Sequence, residues 1–367
     1  MDGTSVVPPL AERRVVRTAA ALWPVTQCTP PEIMAVVRVS QNEIDACGGL
    51  DSYVEGMIES IRSDPMDLKE KCAAALNALA LQGQQNVVVI VRHGGLQQLI
   101  KLADVGSHNA QAHAAGACAT IISTKPEYAA DAARLGGITP ICKVLRQSTG
   151  GAQEAAAAAI ASISAAPQNV KAVIEAGAIS PLASLLKPGN RSAAQVYASH
   201  ALGNLASLPE GQRQAHGVGA VKHLLALLGS GQAQQFAARA LARMAHDLLP
   251  VQQEVFKSGG IAMLLALLSG INDEARVQSA IAISELCQGA GGKNKKKTQD
   301  AIAKSGGIGP LLAAISSPTS KQPLVAEATH ALAMLAKGHR ANQVTYSFLL
   351  LSLRLSLSLP LLHYSYP

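Results

Sequence analysis

One short sequence element recurs seven times in this 367-residue chain, and it constrains the fold more than any other feature. The element is a glycine, then Gly or Ala, then Leu, Ile or Val. Its copies begin at Gly48, Gly94, Gly136, Gly177, Gly219, Gly259 and Gly306, at intervals of 46, 42, 41, 42, 40 and 47 residues. Such a period is typical of helical-repeat arrays, in which each unit buries its apolar face against its neighbours.

The residues that follow each glycine have the spacing of an amphipathic helix. In the fourth copy, Ile179, Leu182 and Leu186 are three and four residues apart, which places them on one helix face. A glycine can end the preceding helix in a left-handed conformation without steric cost. An Ala-rich segment comes next, such as 194–207. The sequence therefore predicts a repeating short helix, glycine turn, second helix, loop and longer third helix.

Composition supports closely packed helices in a reducing compartment. Aromatic residues make up only 3% of the chain, whereas compact enzymes usually bury more aromatic surface. The six cysteines form no CxxC pair and lie mostly in apolar helical stretches, where a free thiol acts as a small hydrophobe. The chain has a net charge of +7, and four of its lysines fall within 293–297. The excess of positive charge in the rest of the chain is mild and diffuse, so no nucleic-acid partner is expected.

Two segments carry a resemblance to a known family. GAISPLASLL at 177–186 and ALGNLA at 201–206 resemble the armadillo repeat, and related segments recur over about 32–343. The resemblance implies an all-α fold, a right-handed α-solenoid of about seven armadillo repeats that binds other proteins. HEAT repeats are the structural alternative, and the glycine-led second helix favours armadillo.

The resemblance also implies where partners bind. Third helices of armadillo proteins line a concave groove, in which Asn side chains hold the backbone of a bound peptide. The matching positions and those one turn earlier include Asn77, Thr120, Ser162, His200, Asn204, Arg239, Arg243, Glu285 and His330. Importin-α-like receptors carry Trp at the earlier position. The single tryptophan, Trp23, precedes the repeats, which argues against a nuclear-import receptor.

A pair of arginines suggests the chemistry of the partner. Arg239 and Arg243 are four residues apart, so they project side by side from one helix face and can present forked donors to carboxylates. One interpretation is that a segment bearing acidic residues docks there. The alternative is that both arginines are ordinary solvated helix charges.

No catalytic, cofactor or metal site is expected. Nucleophile-elbow, zinc-protease and EF-hand patterns are absent from the sequence, and the ten histidines are dispersed. The Gly-rich run at 289–293 resembles a phosphate-binding loop, but Asn294 replaces the Ser or Thr that would bind magnesium. We interpret 289–298 as a Gly/Lys-rich loop insertion.

The two ends differ from the repeats. Residues 1–31 are expected to form a flexible leader, with a transit peptide as the alternative. Residues 344–367 form an atypical tail in which Leu and Ser alternate through 352–359. This pattern is typical of a gene-model artefact, and a peripheral anchor is the alternative.

The sequence as a whole favours a non-catalytic scaffold or adaptor. Alternatives are the substrate-recognition part of a ubiquitin-ligase-like protein and a membrane-associated trafficking adaptor. We expect a monomeric protein without a transmembrane segment, in the cytoplasm or alternatively the nucleus.

Overall fold

In a computed structural model the described part of the chain consists of helices joined by short turns. The structure describes residues 39–345 and 347, except 230, 247, 289–292 and 318. Within these residues there is no strand, and the all-α prediction is confirmed.

Within the described residues, 21 helices fall into seven groups of three, and a further helical segment begins at 340. The first three groups are α1 Gln41–Ala46, α2 Leu50–Ser63 and α3 Met66–Leu81; α4 Gln84–Arg92, α5 Gly95–Val105 and α6 His108–Thr124; α7 Pro126–Arg134, α8 Ile138–Gln147 and α9 Gly150–Ile163. The fourth is α10 Pro167–Glu175, α11 Ile179–Leu185 and α12 Ser192–Leu205. The last three are α13 Pro209–Gly217, α14 Ala220–Leu228 and α15 Gln234–Ala245; α16 Leu249–Lys257, α17 Gly260–Leu268 and α18 Asp273–Gln288; α19 Lys293–Lys304, α20 Ile308–Ser316 and α21 Gln322–Ala336.

A left-handed glycine joins the first helix of each group to the second. The seven glycines that begin the sequence element have φ between +71° and +83°. At Gly219, with φ +74°, no side chain or backbone atom would crowd an added Cβ, so the requirement for glycine there is set by the backbone alone. This single left-handed residue changes the direction of the chain, so the short first helix leads directly into the second helix.

The chain divides into two compact units, 1–182 and 183–367, with the boundary inside α11. In the first unit the third helices α3, α6 and α9 pack side by side, and α2, α5 and α8 cover them. In the second unit α12, α15, α18 and α21 pack in the same way. Leu76, Ile121 and Ile160 are fully buried among alanines such as Ala117, whose small side chains let neighbouring helices approach closely.

Side-chain amides near the start of a helix bind the open carbonyls at the end of the preceding one. Near the start of five first-helix segments, an Asn or Gln donates to a carbonyl at the end of the preceding third helix: Asn86 to Leu79, Asn169 to Ile163, Gln212 to Ala206, Gln252 to Ala245 and Asn342 to Leu335, at 2.8–3.2 Å. Near the start of four third helices, Gln111, Gln153, Gln195 and Gln234 do the same for the preceding second helix, at 3.0–3.2 Å. The last carbonyls of a helix have no intrahelical donor, so these amides satisfy them at the tight corners.

The loop predicted at 289–298 needs a correction. Residues 293–298 belong to α19, the first helix of the seventh group, and Thr298 and Gln299 are buried. Gln299 donates to the carbonyls of Met334 and Lys337 at 2.8 and 3.1 Å. Burial of one face against α21 overrides the appearance of a solvated lysine run. Residues 289–292 lie outside the described part of the chain.

The predictions for the ends fall mostly outside the described residues. This holds for the leader at 1–31 and for 346 and 348–367 of the tail. Residues 344 and 345 continue a helical segment that begins at 340. Among the residues that the structure does describe, no helix is long and apolar enough to cross a membrane.

The amide contacts predict a specific loss of stability. Gln212 is buried and donates to the carbonyls of Ala206 and Arg243 at 3.2 and 2.9 Å. Gln212→Met keeps the side-chain length but removes the donor. We expect the free energy of unfolding to fall by about 1–2 kcal/mol, because two buried carbonyls lose their partner. Urea unfolding followed by circular dichroism measures this change.

The control is Gln214→Met on the same helix. Gln214 is exposed, and its side-chain amide donates to the exposed Glu210 at 3.1 Å. Its replacement should change the free energy by no more than about 0.5 kcal/mol. Equal effects of the two substitutions would contradict a role for the amide contacts.

Candidate partner-binding surface

In the first unit, the predicted groove residues connect neighbouring third helices. The Thr120 hydroxyl on α6 donates to the Asn77 amide oxygen on α3 at 3.5 Å and to the Gly116 carbonyl at 3.1 Å. Ser162 on α9 lies 3.1 Å from the Ser123 hydroxyl on α6. A Cβ added at Gly116 would lie 2.9 Å from the Asn77 amide nitrogen, so the Asn77 side chain rests directly on that glycine. These polar groups form a row across the three helices.

In the second unit, four predicted residues come together on α12 and α15. The Arg243 Nη1 donates to the Gly203 carbonyl at 3.0 Å and to the Asn204 amide oxygen at 3.3 Å. Asn204 is buried, whereas His200, Arg239 and Arg243 are half-buried. We call His200, Asn204, Arg239 and Arg243 the arginine cluster.

An aromatic residue that the sequence analysis missed completes this surface. The Phe236 ring on α15 stacks against the His200 ring, with centroids 5.1 Å apart and planes inclined by 21°. The Arg239 guanidinium lies 5.6 Å from the centroid of the same ring, within cation–π range. Phe236 lies three residues before Arg239, so helical spacing in a chain with three phenylalanines could have revealed it.

The cluster carries positive charge on two neighbouring arginines. Burial, and then the charges of Arg239 and Arg243, lower the pKa of His200 to about 4, so this imidazole is neutral at pH 7. Burial also lowers the pKa of both guanidinium groups, and Arg243 lowers that of Arg239 further. Glu274 acts on Arg239 from α18 in the opposite direction, but neither arginine forms an ion pair within the described residues. The arrangement is suited to binding an anion.

Glu285 and His330 lie elsewhere and have other partners. The Glu285 carboxylate on α18 lies 2.7 Å from His246 Nδ1. The His330 Nε2 on α21 lies 2.9 Å from the Gln288 amide nitrogen. Both contacts join one third helix to the next, as in the first unit. The structure thus brings together four of the nine predicted residues and distributes the other five along the third helices.

The described cysteines are buried. They are Cys47, Cys72, Cys118, Cys142 and Cys287. Burial raises the pKa of Cys72, Cys118, Cys142 and Cys287 to about 12, so these thiols are protonated at pH 7. In the part of the chain that the structure covers, no three His, Cys, Asp or Glu side chains are grouped to hold a metal ion.

The electrostatics of the cluster predict an unusual histidine titration. The His200 ring protons, followed by NMR, should titrate with a midpoint near 4 instead of 6.5. In an Arg239→Gln, Arg243→Gln variant the midpoint should rise but stay below 6.5, because burial is the largest cause of the lowered pKa. A wild-type midpoint near 6.5 would contradict the described packing of His200 against Phe236.

The same pKa shift has a consequence for stability. The folded chain binds a proton at His200 less readily than the unfolded chain, in which histidine titrates near 6.5. The contribution of His200 to stability is therefore present above that pH and is lost as the pH falls towards 4.

The repeated three-helix groups and the polar rows across their third helices define an α-solenoid built from helical repeats. A family model described as Armadillo/beta-catenin-like repeat matches residues 166–207, which include α10 to α12. This part of the chain matches the armadillo repeat, and the resemblance seen in the sequence is confirmed.

A curated relative extends this similarity beyond one repeat. The chain is 30% identical over 204 residues to a protein of Candida albicans (strain SC5314 / ATCC MYA-2876) named "Vacuolar protein 8". The match includes 54% of this chain and 34% of that protein, so the chain spans about a third of the length of this relative.

Solved structures show the same fold. An engineered protein superposes with a TM-score of 0.66 at 24% identity, over 91% of each chain. A designed armadillo repeat protein, solved in complex with the peptide (KR)4, superposes with a TM-score of 0.53 at 25% identity. This match covers 64% of the present chain and 99% of the designed one.

Proposed function

We propose that this protein is a non-catalytic adaptor that binds an acidic segment of another protein on the third helices of the second unit. The observation that carries the proposal is the arginine cluster, in which two half-buried arginines on one helix face lack a carboxylate partner in the described chain. Surface arginines without a function are usually solvated, whereas these lose part of their hydration. A bound carboxylate compensates that loss.

The charge of the cluster favours an acidic partner over a basic one. The designed armadillo protein noted above is complexed with (KR)4, an alternating Lys and Arg peptide. A peptide of that charge would be repelled by Arg239 and Arg243. We therefore propose that this protein also binds a peptide segment, placed along its third helices, and that this segment has the opposite charge.

The remaining groove residues fit a supporting role in this proposal. Asn77, Thr120, Ser162, Glu285 and His330 already contact neighbouring third helices through their side chains. Such contacts fix the spacing of the helices. We propose that the arginine cluster supplies most of the binding energy and that these residues shape the surface, in keeping with the concentration of affinity in few residues.

Affinity purification from the native organism followed by mass spectrometry tests this function. The baits are the wild-type protein and an Asn204→Ala, Arg239→Glu, Arg243→Glu variant, and we expect the variant to lose a defined set of proteins. The matched control is Arg213→Glu with Lys222→Glu, which reverses two exposed charges on α13 and α14 and should retain that set. Because Arg243 donates to α12, an Arg239→Gln, Arg243→Gln bait and circular dichroism of every variant guard against misfolding. Identical protein sets with all baits would overturn the proposal.

The relative from Candida suggests a second candidate function. Its name places that protein at the vacuole, which favours the alternative of a membrane-associated trafficking adaptor. The same purification distinguishes the two, because this alternative predicts vacuolar membrane proteins among those lost by the variant. A lost set without membrane proteins would contradict it and leave the adaptor function intact.

A further inference from the structure

The two arginines of the cluster are not equivalent. Arg243 is used within the fold, because its Nη1 donates to both Gly203 and Asn204 on α12. Its backbone carbonyl also accepts from Gln212 on α13 at 2.9 Å. Arg243 therefore links α15 to both α12 and α13, and drawing it towards a ligand would break contacts that hold α12 against α15.

Arg239 has unused donors instead. Its Nε and Nη2 atoms are shielded from solvent and have no hydrogen-bond partner in the described part of the chain. Burying donors without an acceptor is unfavourable, and native structures rarely leave such groups unpaired. This observation points to a ligand that the free protein lacks.

The two unused donors define the shape of that ligand. Nε–H and Nη2–H lie on the same edge of the planar guanidinium and point in nearly parallel directions. The two oxygens of one carboxylate match this edge in a side-on, bidentate pair. A single Asp or Glu side chain would satisfy both donors at once.

The neighbours of Arg239 favour this assignment. Phe236 lies against the guanidinium and His200 stacks on Phe236, so the plane of the guanidinium is supported by packed rings. His200 is neutral at pH 7, so it does not compete with Arg239 for an anion. Glu274 is close enough to raise the pKa of Arg239, but the two side chains form no ion pair. Because Nε and Nη2 are shielded in the free protein, the proposed pair requires the half-buried Arg239 side chain to turn this edge towards the bound segment.

We propose that Arg239 alone recognises the ligand, by a side-on bidentate pair with one Asp or Glu carboxylate, while Arg243 holds α12 to α15 and does not contact it. This assignment rests on the proposed function and specifies the ligand group and the residue that reads it. It makes Arg239 the residue that determines specificity at this surface.

The test uses the full chain and two defined peptides. Arginine Nε–H groups are observed directly in ¹H–¹⁵N NMR spectra, and the Arg239 signal is assigned by its loss in Arg239→Lys. We expect the peptide (DE)4 to shift this signal downfield and (KR)4 to leave it unchanged. The absence of a shift with (DE)4 would overturn the assignment.

Conservative substitutions then separate the two arginines. Arg239→Lys keeps the charge but removes the fork, and it should weaken (DE)4 binding by at least about tenfold. Arg243→Lys should change (DE)4 affinity by less than about threefold, because only a contact inside the protein is altered. Equal losses in both variants, or no loss in Arg239→Lys, would contradict the proposal.

The result is distinguishable from failure of the adaptor function. Loss of native partners in the purification together with no (DE)4 shift would leave the adaptor function standing and reject the carboxylate assignment. A (DE)4 shift at Arg239 with an unchanged set of native partners would support the carboxylate assignment and reject the adaptor function.

Discussion

Each repeat of this protein has an apolar face that only the next repeat can cover, and the rest of the structure depends on this constraint. The third helices are buried by their neighbours within each unit, which is why alanines such as Ala117, Ala157 and Ala240 are fully buried there. A larger side chain would push two neighbouring helices apart. Close stacking therefore sets both the Ala-rich composition and the regular distance between polar side chains on successive third helices.

Because neighbouring third helices lie close together, particular side chains of successive repeats contact each other. Residues about one repeat apart meet across the third helices, as Asn77 with Thr120 and Asn204 with Arg243 do. At the corners, amides such as those of Asn169 and Gln212 bind carbonyls that helix geometry leaves open. At these corners the amides provide partners for the open carbonyls, and the connections between the helices are short.

Much of the fold could be predicted from sequence, because the glycine element and the apolar spacing act locally. The positive φ of Gly219 follows from its place between two helices. The helix over Lys293–Lys304 could not be predicted in the same way, since its lysines suggest solvent and only packing against α21 shows that Thr298 and Gln299 are buried. Amide contacts such as that of Gln252 also escape local patterns, because they need the end of another helix in place.

The candidate site, like the fold, could be predicted from the sequence only in part. Helical spacing predicted that Arg239 and Arg243 share a face, and matching the repeats to one another placed His200 and Asn204 nearby. Their different roles depend on distances between α12 and α15, which the sequence does not contain. The use of Arg243 within the fold and the stacking of Phe236 on His200 became visible only with the packed helices.

The central claim is that partners bind on the third helices of the second unit, and site-specific photo-crosslinking in the native organism tests it most directly. A benzophenone amino acid is placed at Tyr197, an exposed residue on α12 one turn before His200, and separately at Val218, an exposed residue at the end of α13. We expect a crosslinked partner from position 197 and none from position 218. A partner captured from position 218 but not from position 197 would contradict it.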